Sequence, residues 1–241
     1  MTDKTPELSP LEEELLREHF CDEGDYKEAL ERLKNGEPLA YIIGEWYFYN
    51  ETYKLNSDCL IPRPDTEHLV DYLIKNLPEG STFADLCTGS GCIAVSVLVH
   101  RPDVKAVAVD ISSRALEMAQ LNAESNGVDD RIVFRQADVL SADALADELF
   151  DAIVSNPPYI PTEVVDTLEV AKSEPRRALD GGNDGLDFYR VIYGDCRRNV
   201  KNGGFIVCEI GYDQGNAVKE LFSCTVSKDY GGNDRVAVLT I

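Results

Sequence analysis

Asn156-Pro157-Pro158-Tyr159 is the stretch of this chain whose residue types point most directly to chemistry. A planar amide or amino nitrogen is a poor nucleophile, because its lone pair is delocalised. The Asn156 side-chain oxygen and the Pro157 carbonyl are two acceptors that together hold both N–H bonds of such a nitrogen. Held so, the nitrogen is aimed at an electrophilic carbon, and the positive charge developing on it is favoured. Pro157 and Pro158 fix the backbone and remove competing donors, while Tyr159 offers a ring to stack on the planar group. No strong general base is required, since the nitrogen becomes acidic once alkylated. The same four residues also read as an Asx-Pro turn ending a strand, so their company decides.

That company is a glycine segment and an acidic strand end. Phe83–Ala94 (FADLCTGSGCIA) reads as a strand, a glycine turn and a helix. Gly89 and Gly91 let the backbone approach a ligand closely, and the following helix start offers free N–H groups. Gly89-x-Gly91-x-x-Ala94 matches the dinucleotide fingerprint, so an NAD-dependent oxidoreductase is one reading and a ligand-free βα turn another. Asp110 ends the next strand, where a carboxylate accepts from ribose hydroxyls or caps the helix that starts near Ser112. S-adenosyl-L-methionine (AdoMet) and NAD both carry that ribose. The Asn156–Tyr159 stretch, at the carboxyl end of a later strand, favours AdoMet and methyl transfer to a planar nitrogen.

The elements that position these residues follow from periodicity. Residues 9–34 read as two helices. Ser9-Pro10 starts the first, Gly24 breaks the pattern, Asp25 caps the second, and Asn35-Gly36 closes it. Residues 41–61 are aromatic and β-branched, a hairpin with its turn at Asn50-Glu51. Pro62 and Pro64 stiffen a turn, and Asp65 or Thr66 caps a helix to Asn76. Strand–helix alternation begins at residue 81. Strands read at TFADLC, VKAVAVD, RIVFRQAD, FDAIVSN and GGFIVCEI, with helices at GCIAVSVLVH, SRALEMAQLNAESNG and FYRVIYGDCRRNV, and SADALADEL allows a short one. Thr225–Ile241 reads as two strands around Tyr230-Gly231-Gly232-Asn233. This pattern predicts an α/β fold whose mostly parallel sheet becomes mixed at its final hairpin. The implied domains are a small helical region (1–40), a hairpin linker (41–62) and a methyltransferase domain (63–241).

Composition narrows the function classes. Lys and Arg total 23 against 44 Asp and Glu, a formal net charge of -21. Such a surface repels phosphates, which disfavours DNA or RNA amino-methyl transfer and anionic membranes and suits a basic protein partner. The seven cysteines include no CxxC pair and several sit in apolar runs, which fits reduced thiols and a cytoplasmic location. The first residues are polar and acidic, unlike a signal peptide, and no apolar run has membrane-spanning length. Three scattered histidines suggest no metal site. Nothing demands more than a monomer.

The chain resembles the HemK/PrmC family, the release factor glutamine methyltransferases. The likeness rests on the glycine, acidic and Asn-Pro-Pro-Tyr motifs together with LIPRPDTEHLV (60–70), GEWYFY (44–49), EPRRALDGGNDGLDFYR (174–190) and EIGYDQG (209–215), and it extends from about Leu30 onward. It implies a Rossmann-like class I AdoMet methyltransferase with a seven-stranded sheet. The product would be S-adenosyl-L-homocysteine, and the substrate the glutamine of the GGQ tripeptide in class I peptide chain release factors. By this likeness Asp85, Cys87, Thr88, Gly89, Ser90 and Gly91 bind AdoMet. Asp110 and Ile111 meet its ribose, Asp138 and Val139 flank its adenine, and Asn156 touches both cofactor and substrate. Asn156, Pro157, Pro158 and Tyr159 hold the glutamine, with Phe48, Pro62 and Arg63 nearby. Glu174, Glu209 and Gln214 support the fold or the pocket edge. Two departures stand out. Cys87 replaces the first glycine of the usual pattern, so that position must either not need positive φ or tolerate a small side chain. The helical N-terminal region is also shorter than the family's.

Overall fold

The computed structural model describes residues 9–141 and 144–241. Two helices, α1 (Pro10–His19) and α2 (Glu23–Lys34), come first. Ser9 and Glu12 close a capping box on α1. The cap of α2 is Asp22, not Asp25 as the sequence suggests. Its carboxylate accepts from the N–H groups of Gly24 (2.7 Å) and Asp25 (3.3 Å). Gly24 does not break the helix; a Cβ there would stand 2.9 Å from the capping oxygen. Glycine in the first turn therefore leaves the cap its room.

A short helix, α3 (Leu39–Ile43), takes the first residues expected in the hairpin and ends at Gly44 with φ 80°. Strands β1 (Glu45–Phe48) and β2 (Glu51–Lys54) then pair around Tyr49-Asn50, one residue before the expected turn. The hairpin docks through buried polar groups. Glu51 accepts from Ser96 Oγ (2.8 Å) and meets His100 Nε2 (2.9 Å), both on α5 (Cys92–His100). Helix α4 (Glu67–Asn76) precedes the sheet. Thr66 does not cap it with its side chain, which is engaged elsewhere.

The sheet itself follows the expected α/β alternation. Strands β3 (Thr82–Leu86), β4 (Lys105–Asp110), β5 (Ile132–Gln136), β6 (Phe150–Ser155), β7 (Val200–Glu209), β8 (Thr225–Lys228) and β9 (Asp234–Thr240) lie in the order β5-β4-β3-β6-β7-β9-β8. Neighbours through β7 are parallel, and β9 and β8 are antiparallel. This is the seven-stranded, Rossmann-like class I arrangement that the sequence implies. Helix α5 is apolar on nearly every face and buried, as a crossover between sheet and covering helices requires. Helix α6 (Ser113–Ser125) and the short α7 (Thr162–Val165) follow in turn. The expected helix after Asp184 forms as α8 (Asp187–Tyr189) but passes into π-helical and 3-10 turns through Asn199. Helix α9 (Gly215–Phe222) follows β7. Of the helix that SADALADEL allows, Ala142 and Asp143 lie outside the described residues, and Ala144–Asp147 forms turns. Among the described residues no helix is long and apolar enough to cross a membrane.

One fully buried side chain ties three parts together. Asn122 on α6 accepts from Lys54 N–H (2.7 Å) and donates to the carbonyls of Lys54 (3.1 Å) and Ser90 (2.9 Å). It joins the hairpin to the glycine turn. Asn122→Ala leaves the Lys54 N–H and two carbonyls, the Ser90 one buried, without their partner, and should lower the free energy of unfolding by about 2–4 kcal/mol. A urea titration of both proteins checks this; a loss under about 0.5 kcal/mol would mean the hairpin is held by its apolar face alone.

Candidate active site

Strand β3 sits where the strand order reverses, between β4 and β6. The crossovers on its two sides leave in opposite directions, which opens a crevice at the carboxyl ends of the strands. The turn Cys87–Gly91 leaves β3 there, Asp110 ends β4, and Asn156 follows β6. A cavity of about 280 Å³ occupies the crevice. A more polar groove adjoins it, reaching Arg114 and Gln136.

The turn has three residues at positive φ: Cys87 (59°), Gly89 (55°) and Gly91 (80°). The position of the missing glycine thus does need positive φ, and Cys87 takes it at a cost of about 1–2 kcal/mol. Burial pushes its thiol well up, with Asp110 adding to the effect, so the sulfur packs rather than reacts. At Gly89 an added Cβ would meet nothing within 4 Å, and this residue lines the cavity. At Gly91 it would stand 3.0 Å from Ala119 Cβ on α6. One glycine keeps the ligand's approach open; the other allows close packing.

Two carboxylates flank the turn. Asp110 lines the cavity; its Oδ2 accepts from Gly89 N–H and its Oδ1 from Ser112 N–H, each at 2.9 Å. Burial raises its pKa, and these bonds with the nearby Arg177 oppose the rise. Asp85 is fully buried beneath the turn. Thr88 Oγ1 donates to its Oδ2 at 2.6 Å, while Oδ1 has no partner among the described residues. Burial pushes Asp85 up to about 7.

The Asn156–Tyr159 stretch is held from behind. Asn156 Nδ2 donates to Thr66 Oγ1 (3.0 Å), and Thr66 donates to Glu209 Oε2 (2.7 Å). Among the described residues nothing donates to Asn156 Oδ1 or to the Pro157 carbonyl. Gln214 Nε2 donates to the carbonyls of Tyr159 (2.9 Å) and Gly185 (3.1 Å). The segment 179–185 lies against the stretch, with Ile160 and Leu179 joined backbone to backbone. A Cβ on Gly181 would stand 2.7 Å from Tyr159 Cα, and one on Gly185 2.3 Å from the Tyr159 carbonyl oxygen. Only glycine lets the two backbones touch.

Of the residues singled out by sequence, Cys87, Gly89, Asp110, Ile111, Asp138, Val139, Asn156 and Pro158 line the cavity. Asp85, Thr88, Ser90, Gly91, Pro157 and Tyr159, also expected at the site, are not among the residues that line it. Phe48 is in the core, edge-on to Tyr53, and does not reach the cavity. Pro62 is buried, and Arg63 pairs with the buried Glu174 (2.5 Å), which also accepts from Ile61 N–H. Sequence reasoning missed Cys59, Arg177 and Phe188 in the lining and Thr66 behind Asn156. For Arg177 and Phe188 the signal was their place within the EPRRALDGGNDGLDFYR segment.

Comparison with known proteins settles the family. The methyltransferase small domain model matches residues 65–174. A release factor glutamine methyltransferase of Caulobacter vibrioides is 42% identical over 93% of this chain and 80% of its own length. Another, from Moorella thermoacetica, is 41% identical over 95% and 82%. This chain belongs to the release factor glutamine methyltransferases. The solved structure of a methyltransferase from Pyrococcus furiosus shares the fold, with a TM-score of 0.58 at 18% identity over 77% of this chain and 86% of that one.

The methyl donor of a release factor glutamine methyltransferase with this sheet is AdoMet, and the site's residues fit it. Gly89 leaves the cavity wall open to a close ligand, and Asp110 stands where a ribose would meet it. Asp85 is fully buried and outside the lining, with its Oδ1 unmatched, so its influence on the donor runs through the glycine turn, which Thr88 ties to it. Asp110→Ala should raise the AdoMet dissociation constant about 10- to 100-fold by calorimetry; unchanged affinity would count against a ribose contact. Asp85 has its pKa raised, so it is ionised above about 7 and neutral below. AdoMet affinity should therefore fall as pH drops below about 7, and Asp85→Asn should flatten that dependence. An unaltered profile in the variant would remove Asp85 from cofactor binding.

Proposed function

We propose that this chain methylates the side-chain amide nitrogen of the GGQ glutamine in class I peptide chain release factors. One observation carries the reading. Asn156, whose Oδ1 nothing in the described protein occupies, lines the cavity together with Gly89 and Asp110, and the Pro157 carbonyl, equally unoccupied, belongs to the next residue.

The bound donor supplies a methyl on a sulfonium sulfur, and transfer leaves S-adenosyl-L-homocysteine. Asn156 and Pro157 accept from the two N–H bonds of the glutamine amide and fix its nitrogen in line with that methyl. As the N–C bond forms and the S–C bond breaks, the nitrogen becomes cationic. The same acceptors stabilise that charge, which develops only in the transition state. The nitrogen then releases a proton to water and regains its planar amide. Pro158 and the clamp of Gly181, Gly185 and Gln214 hold the acceptors without competing donors. The net charge of -21 favours a basic protein over nucleic acid. Helices α1 to α3 and the hairpin of β1 and β2 serve in this reading as the platform that meets the release factor.

Labelled AdoMet should mark a purified class I release factor and leave unmarked a copy whose GGQ glutamine is alanine. Asn156→Ala should cut turnover by at least about 100-fold with AdoMet affinity kept within about threefold. Label on both release factors, or on neither, would reject the glutamine as target. Near-normal turnover by Asn156→Ala would reject the paired-acceptor mechanism.

A further inference from the structure

Asn156 is useful only one way round. A side-chain amide has an acceptor end and a donor end of nearly equal size, and a half-turn exchanges them. With Oδ1 toward the cavity it accepts from a substrate N–H. With Nδ2 there, donor faces donor and the substrate amide is repelled.

The groups behind Asn156 decide the matter by counting protons. Thr66 has a single hydroxyl proton. Its Oγ1 lies 2.7 Å from Glu209 Oε2 and 3.0 Å from Asn156 Nδ2. An ionised carboxylate only accepts, so the Thr66 proton goes to Glu209, and toward Asn156 the hydroxyl only accepts. Nδ2 must then point at Thr66, and Oδ1 at the cavity. Turning the amide would set Oδ1 against an oxygen with no proton left to give. Thr66 and Glu209 are each 2% exposed, so water cannot easily supply the missing proton. Both are held in place. Glu209 Oε1 accepts from Tyr159 OH (3.3 Å), its backbone carbonyl from Tyr189 OH (2.9 Å), and Thr66 spends nothing on capping α4.

We propose that Glu209 and Thr66 are positioning residues that set the Asn156 amide with its oxygen toward the substrate, so that the site accepts a nitrogen bearing protons. The inference rests on the methyl-transfer reading above and deepens it. The pair touches neither substrate nor donor and acts through Asn156.

Charge makes the relay sensitive to acid. Glu209 faces Thr66, Tyr159, Arg235, Asp65 and Cys92. Burial is the largest influence and pushes it up to about 7, while the bond from Thr66 and the charge of Arg235 pull it down and Asp65 pushes it up. Below about 7 the protonated acid donates to Thr66. The Thr66 proton is then free to bond Asn156 Oδ1, and the whole chain of bonds reverses. Turnover at saturating AdoMet should fall as pH drops through about 7.

The test uses the full chain with Thr66→Val, Thr66→Ser and the isosteric Glu209→Gln. Two readouts are taken: turnover on a class I release factor, and hydrogen exchange of the Asn156 side-chain amide by NMR with S-adenosyl-L-homocysteine bound. Thr66→Val should lose about tenfold or more in turnover with AdoMet affinity within about twofold, and Thr66→Ser should recover most of it. Glu209→Gln, whose amide bonds Thr66 in either direction, should lower turnover and flatten the acid limb. The Asn156 amide protons should exchange slowly in wild type and Thr66→Ser and quickly in Thr66→Val. Wild-type turnover in Thr66→Val and Glu209→Gln, or an equal loss of AdoMet binding, would overturn the positioning role. If wild type fails to label the release factor, the substrate reading falls. The exchange result then still decides the relay, because fast exchange in wild type overturns it and slow exchange lost in Thr66→Val sustains it.

Discussion

The site depends on a reversal of strand order. Because β4 lies on one side of β3 and β6 on the other, the loops leaving these strands part over the same end of the sheet. Everything chemical in the molecule gathers at that parting. The glycine turn comes from β3, the cavity-lining carboxylate of Asp110 from β4 and the Asn156–Pro157 acceptors from the end of β6. Parallel pairing fixes their relative heights, since Asp85 registers with Ala108 on one side and Val154 on the other. The active groups are therefore placed by backbone hydrogen bonds, whose spacing no side-chain change alters.

A second tier of contacts converts that placement into a chemical direction. The acceptors of Asn156 and Pro157 are loop atoms, and a loop alone would hold them loosely. Gln214 crosses from the start of α9 to bind two carbonyls, and the 179–185 segment presses its glycines onto the Tyr159 backbone. Glu174 does a parallel service on the other side, gathering Arg63 and the Ile61 N–H beside the cavity wall formed by Cys59 and Leu60. These are buried polar groups with every visible partner satisfied, the condition in which such networks rigidify a site.

The sequence made the order of elements and the chemistry at strand ends readable, because both are local patterns. The turn after β3, Asp110 and the Asn-Pro-Pro-Tyr stretch each sit beside the strand that carries them. What escaped was any role set by a partner far along the chain. Thr66 looks like a helix cap, and only the fold brings it to Glu209, 143 residues away. Asn122 gives no sign in a polar helix that it meets Lys54 and Ser90. Phe48 belongs to a motif shared with the family, yet its side chain faces the core. At Cys87 the residue type left two backbone conformations open, and the neighbouring Gly89 and Gly91 did not choose between them; the left-handed one is taken. Asp25 lost the cap to Asp22 because the better-placed carboxylate reaches two N–H groups.

The contact between Gly181, Gly185 and Tyr159 also bears on how the site could be moved. The four-residue motif is short enough to invite transplantation onto another parallel sheet. Yet its backbone has the shape it does because a second strip of chain, more than twenty residues later, lies against it with no side chain between. A recipient scaffold would need that strip and the crosspiece from Gln214 as well. The portable unit is thus three separate segments, and the motif that announces the chemistry is the smallest part of what performs it.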